Sequence, residues 1–279
     1  GRGSGGRTGL MRWTGIWPVA PEDGMARPLG LIHCGLADAS AWDRLLEELA
    51  MDVDPILIEL PGHGTAEPWD PDRAFADQAM EIALEALPDE AVPVIGHSLG
   101  AVIALRLAVE KFYRVSSLVM IEPVFFAAVK GREVFDKVTR DLAPFSRKVR
   151  DGSSAMATRD FVRIWGDGTA WDDIPEAKRR YMVDRIGLIG AANALLWEDR
   201  PGLLREGRLE EIEVPVTLVE GSDSHPVIPE IVDALGRRIR NAEGITVPGA
   251  GHMVPISHAR IVAEAIKSRL IWGEESAGA

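Results

Sequence analysis

One serine sits between two glycines, in Gly96-His97-Ser98-Leu99-Gly100, and this pentapeptide joins an apolar run to a stretch free of Gly and Pro. Val92, Val94 and Ile95 read as a short buried strand, and Ala101 to Val109 as a helix. A serine on a sharp strand-to-helix turn presses the residues two positions to either side against adjacent backbone, where a Cβ would collide. The pattern thus fixes a strand, a strained turn and a helix in that order. It makes Ser98 a candidate nucleophile.

The rest of the chain repeats that rhythm. Short apolar segments at Leu29–Ile32, Ile56–Ile58, Val92–Ile95, Leu118–Ile121, Val216–Val219 and Ile245–Val247 alternate with helical patterns. Such an alternation implies parallel strands with helices on both faces, an α/β doubly wound sheet. Met11 to Trp17 has no helix behind it and is expected to form an antiparallel edge hairpin. The rhythm stops between Pro123 and about Arg208, where no strand-like run occurs. Helical patches there carry Phe125, Phe126, Phe135, Phe145, Phe161, Trp165, Trp171, Met182 and Trp197. An insertion of this kind above a parallel sheet reads as a helical cap. Most of these side chains are expected to pack the cap onto the core and a minority to line a pocket, which gives the substrate an apolar part.

Composition removes several function classes. Among 279 residues, 43 acidic against 31 basic side chains leave a net charge of -12, which disfavours nucleic acid as a partner because phosphate binding needs clustered Lys and Arg. The single cysteine, Cys34, excludes an intrachain disulfide and is expected to be a small buried hydrophobe. No 18-residue apolar run is present, so no membrane span is expected. The N-terminus lacks a signal-peptide pattern, the first ten residues read as a linker or tag-like tail, and a cytoplasmic location is the expectation.

An active serine requires a base that is itself held by a third group. Of six histidines, His252 in Gly249-Ala250-Gly251-His252 follows the last strand-like run and falls at the edge of the sheet where Ser98 points. His33 and His63 lie in glycine-containing loops and are expected to bond backbone. His97 is the variable position of the turn, and nothing in the sequence implies a partner for His225 or His258. No spacing resembles a metal site. Two carboxylates compete for the role of acid. Glu122 ends an apolar run, an expensive place for a charge without a partner, and Pro123 is expected to hold it extended. Asp223, in Gly221-Ser222-Asp223-Ser224, is the alternative. Two backbone N–H groups are needed for an oxyanion, one from Leu99 and one from the loop after an early strand, with Gly35 the candidate.

Together these residues resemble the α/β-hydrolase superfamily over about Arg12 to Ile271. His33-Cys34-Gly35 through Trp42 is similar to the family's His-Gly loop, with Cys34 where glycine is usual. Glu59-Leu60-Pro61-Gly62-His63-Gly64 is similar to its Asp-x-Pro-Gly-His-Gly loop, with Glu for Asp. The family's Gly-x-x-Asp would place its acid at Ser224, one residue after Asp223. Some relatives carry a Glu after strand six instead, and Glu122 matches that place and is favoured. The resemblance implies an α/β-hydrolase fold with the cap inserted after strand six: a core of 11–122 and 209–279, and a cap of 123–208. It implies a serine hydrolase of an ester, thioester or lactone with no cofactor and no metal. The same groups would also serve C–C hydrolysis, lyase or perhydrolase chemistry, or a non-catalytic receptor.

Overall fold

The computed structural model describes residues 26–272; the tail over 1–10 and the hairpin expected over Met11–Trp17 lie outside them. Six strands form one sheet: β1 (Arg27–Ile32), β2 (Val53–Ile58), β3 (Val92–His97), β4 (Val115–Ile121), β5 (Val216–Gly221) and β6 (Ala242–Val247). Each of the six apolar segments falls inside one of them. The order is β2-β1-β3-β4-β5-β6, and every neighbouring pair is parallel. From β1 the chain steps out to β2, then crosses back to β3 and proceeds to the far edge. The loops leaving β1 and β3 therefore diverge, which opens a crevice at the carboxyl ends of these strands.

The helices are α1 (Asp43–Leu49), α2 (Phe75–Ala86), α3 (Leu99–Glu110), α4 (Glu133–Arg150), α5 (Ser154–Trp165), α6 (Glu176–Ala191), α7 (Asn193–Leu196), α8 (Val227–Gly236), α9 (Val254–Ser257) and α10 (Ala259–Ile266). Strand periodicity of two sends alternate side chains to opposite faces. Leu118 and Met120 join a core with α2, α3 and α8, whereas Val119 and Ile121 join one with Leu45 and Leu49 of α1 and Val262 and Ile266 of α10. Both faces are covered over the central strands, which is why β1, β3, β4 and β5 carry apolar runs, whereas the edge strands β2 and β6 are buried only in part.

Between β4 and β5 the chain is helical, with α4 to α7 and no strand. The strand before this insert, the sixth in the family's scheme, is β4 here. Phe145, Ala157, Ile174, Met182 and Ile186 of the insert form a separate cluster with Leu36, from the loop after β1. The insert thereby rests on the carboxyl ends of the strands, above the crevice.

Candidate active site

Ser98 follows β3 and caps α3 with φ 57° and ψ −115°, a backbone conformation that costs a non-glycine residue about 1–3 kcal/mol. Its N–H donates to Ile121 O at 2.8 Å, so the ladder to β4 runs up to the turn itself. The flanking glycines are sterically required. A Cβ on Gly96 would lie 2.4 Å from Gly100 O, and one on Gly100 would lie 2.2 Å from Ile32 O.

The loop after β6 brings His252 over this turn. His252 Nε2 lies 2.9 Å from Ser98 Oγ, and its Nδ1 lies 2.9 Å from Glu122 Oε2. With Nδ1–H donating to the carboxylate, the Nε2 lone pair is left to accept the serine proton. His97 donates from Nε2 to the carbonyl of His252 at 2.8 Å, and the two rings lie 5.3 Å apart. Burial, then the neighbouring His252, pushes His97 down to about 3, so it stays neutral and fixes the histidine loop.

Glu122 is fully buried. Besides His252 it accepts from Gly221 N–H at 2.6 Å and Ser224 Oγ–H at 2.7 Å, both on Oε1. Three donors offset the desolvation of one carboxylate. Its backbone differs from the sequence expectation: φ is 52°, not extended, although Pro123 follows. The Glu122 N–H is committed to Val219 O at 2.7 Å, and this bond with the three to the side chain outweighs the local preference of a residue before proline. Asp223, the alternative acid, is not brought to the site. It is exposed, and its Oδ1 accepts only from the neighbouring Ser222 Oγ. Ser224, one residue on, faces Glu122 instead.

The loops after β1 and β2 lock each other. His33 donates from Nδ1 to Cys34 O and accepts at Nε2 from Leu60 N–H, while His63 donates to Pro61 O and accepts from Leu36 N–H. Burial lowers His33, and burial with the nearby His33 pushes His63 down to about 4. Burial of Glu59 opposes its charge, but bonds from Thr65 and Ala39 outweigh it and hold the carboxyl below its usual range. This brace presents Gly35 to the cavity that also contains Ser98 and Leu99. Leu99 begins α3, so its N–H has no acceptor within the helix.

The cavity measures about 330 Å³ and reaches from Ser98 and His252 to the insert, with Val124, Leu142 and Leu196 among its apolar walls. Five of the nine large insert side chains line it: Phe126, Phe145, Phe161, Trp165 and Trp197. The expectation that only a minority would do so is corrected. A ring of the insert can pack on one edge and face the cavity with the other. Trp165 shows both, meeting His252 edge-on at 4.8 Å and His225 at 5.5 Å. Nor is His225 without a partner, since its Nε2 lies 2.9 Å from Asp141 Oδ2 on α4. A second cavity of about 730 Å³ adjoins at Cys34, Gly35, Trp165 and Met253. Cys34 is buried, which pushes its thiol up to about 12 and keeps it protonated.

Sequence reasoning missed three groups around this site: Ser224 on the acid, His97 on the histidine loop and Trp165 on the imidazole. Adjacency to Ser98 marked His97, the family's acid position fell on Ser224, and Trp165 was one of the insert's large side chains, but none of these signals assigned the contact the residue makes. Among the described residues, no group of His, Cys, Asp and Glu is arranged to hold a metal ion, and no helix is long and apolar enough to cross a membrane.

Comparison with known proteins agrees with this architecture. A pimeloyl-[acyl-carrier protein] methyl ester esterase of Nitrosospira multiformis is 25% identical over 242 residues, covering 82% of this chain and 89% of the relative. Lipase LipV of Mycobacterium tuberculosis is 28% identical over 256 residues, covering 88% and 94%. Among solved structures, MenH from S. aureus superposes with a TM-score of 0.65 at 19% identity, covering 88% of this chain and 95% of that one. A thermophilic esterase from Thermogutta terrifontis gives 0.62 at 22%, covering 88% and 89%. Residues 31–265 match the model of the alpha/beta hydrolase family, and the chain belongs to that family.

Proposed function

We propose that this protein is a serine hydrolase that cleaves an ester, thioester or lactone of a small, partly apolar substrate through an acyl-enzyme. The observation that carries the reading is the unbroken hydrogen-bonded chain from Ser98 through His252 to buried Glu122, at the floor of a mostly apolar cavity. Ser98 Oγ attacks the carbonyl carbon as its proton passes to His252 Nε2. Glu122 orients the imidazole and stabilises the imidazolium. The carbonyl oxygen gains negative charge and is held by the N–H groups of Leu99 and Gly35. His252 then gives its proton to the leaving alcohol or thiol. A water, activated by the same histidine, releases the acid and restores Ser98.

In this reading the insert over 123–208 is a cap on the core of 11–122 and 209–279, and it supplies the apolar wall that receives part of the substrate. The relatives named as esterases and a lipase support ester bonds over other targets of the same chemistry. None of these steps calls for a metal or an organic cofactor.

A fluorophosphonate probe and a series of p-nitrophenyl esters of two to twelve carbons test the proposal. Wild type is expected to be labelled and to turn over esters with an optimum among short or medium chains, and Ser98→Ala to do neither. Absence of labelling and of turnover in wild type refutes the hydrolase reading and favours a ligand-binding role.

A further inference from the structure

The chain as a whole is acidic, 43 acidic against 31 basic residues, yet the insert over 123–208 holds 16 basic against 13 acidic. The excess is concentrated on α4 and α5, which pack against each other. Within them Lys137 pairs with Asp141 at 2.6 Å and Lys148 with Asp160, while Glu133 and Asp136 occupy the first turn of α4, where the helix dipole favours them. Five arginines remain: Arg140, Arg147 and Arg150 on α4, and Arg159 and Arg163 on α5. All five are exposed, and none forms a hydrogen bond or ion pair with a described residue.

Their spacing is not scattered. Positions 140, 147 and 150 share one stripe of α4, and 159 and 163 stand one turn apart on α5. Thr139 and Ser146, each the residue before one of these arginines, line the cavity that ends at Ser98. A row of guanidinium forks beside the walls of this cavity, satisfying nothing among the described residues, is free to meet carboxylates from outside.

We propose that this face docks a small acidic protein that presents the ester to the cavity. The word ester rests on the function proposed above; the docking face does not. An anionic membrane would be the other source of negative charge. It presents an extended plane, and outside the insert the chain carries 30 acidic against 15 basic residues that such a plane would repel. Met156 is also the only large apolar side chain exposed on α4 and α5, too little to insert among lipids. A compact partner touches the arginine stripe and avoids the acidic remainder.

The test titrates the full chain with a purified acyl-carrier protein, a small acidic protein, by fluorescence anisotropy, alongside phosphatidylglycerol vesicles. At 50 mM NaCl the carrier is expected to bind with a Kd in the micromolar range, weakened about tenfold or more at 300 mM. Arg147→Glu with Arg159→Glu should weaken it by a further tenfold or more, while Arg147→Lys with Arg159→Lys retains most of it. Both pairs should leave hydrolysis of a free p-nitrophenyl ester unchanged, since neither arginine lines the cavity. Absence of carrier binding at low salt, or binding indifferent to charge reversal, overturns the proposal. Vesicle binding that is lost on charge reversal, without carrier binding, overturns it in favour of a membrane. Carrier binding without turnover of any ester would leave the docking face standing and remove the hydrolase reading.

Discussion

Glu122 Oε2 lies 2.9 Å from His252 Nδ1, although 130 positions of sequence separate the two residues. With Asp223 exposed and turned to Ser222, the carboxylate that can hold the imidazole is Glu122. Glu122→Gln is expected to lower kcat on the order of 10³- to 10⁴-fold, because the amide presents the wrong partner to Nδ1–H. Asp223→Asn should stay within about twofold of wild type. Steady-state rates on a p-nitrophenyl ester decide between the two, and the reverse ranking would move the acid to position 223.

Ser224 Oγ–H and Gly221 N–H both hold Oε1 of Glu122, which leaves Oε2 turned to His252. Ser224→Ala should therefore lower kcat by about tenfold with KM nearly unchanged, the scale of one hydrogen bond to a charged group. Ser224→Thr, which keeps the hydroxyl, should retain most of the activity. The downfield NMR signal of the His252 Nδ1 proton gives a reading that does not need turnover: it should move in the alanine variant and stay in the threonine one. An unmoved signal would reduce Ser224 to a loop contact.

Two glycine-to-alanine changes should have opposite signs. In Gly100→Ala the new methyl meets the carbonyl oxygens of Ile32 and His33 at 2.2 and 2.4 Å, backbone of the end of β1 and of the braced loop that follows it. A loss of about 3 kcal/mol or more in urea unfolding is expected, or failure to fold. In α6, Gly187 is exposed and a Cβ there meets nothing within 4 Å. Gly187→Ala should stabilise by up to about 1 kcal/mol through helix propensity and a less flexible unfolded chain.

Stability should fall on mild acidification, before most carboxylates titrate. His63 is pushed down to about 4 in the folded protein and His97 to about 3, while both return to about 6.5 on unfolding. Between those values the unfolded chain binds more protons, so the stabilisation present above pH 6.5 is lost as pH falls toward 4. Each histidine contributes a slope of at most about 1.4 kcal/mol per pH unit. Urea midpoints from pH 7.5 to 4.5 measure this, and His63→Gln should flatten part of the slope. A level profile over that range would mean that the histidines charge without cost in the folded state.

The sheet could be read from sequence because its central strands are buried on both faces and so appear as apolar runs, as at Val92–Ile95 and Leu118–Ile121, while the half-exposed edge strands keep enough apolar residues, at Ile56–Ile58 and Ile245–Val247, to be seen beside them. Ser98 was legible for a different reason: its turn excludes a Cβ at Gly96 and Gly100, and that steric demand leaves a mark in the residue types. The choice between Glu122 and Asp223 left only a faint mark, because it depends on where two loops meet across the ends of β4, β5 and β6. Local rules even pointed the wrong way for the backbone of Glu122, where four hydrogen bonds overrode the proline that follows. The insert defeated the sequence for a related reason. Whether Phe126 or Trp197 faces the core or the cavity is set by how the insert lies on the strand ends, and the sequence records only that these positions are apolar.

The sheet order places β6 at the far edge, and the loop after it carries His252. A chain still being synthesised can assemble everything through β5, with Ser98 on its turn and Glu122 at its strand end, and yet lack a base. Its serine stays an ordinary alcohol until β6 and the loop after it have joined the sheet edge. The order of the strands acts as a timer: the nucleophile and the acid come first, and reactivity arrives with the strand whose loop carries the base.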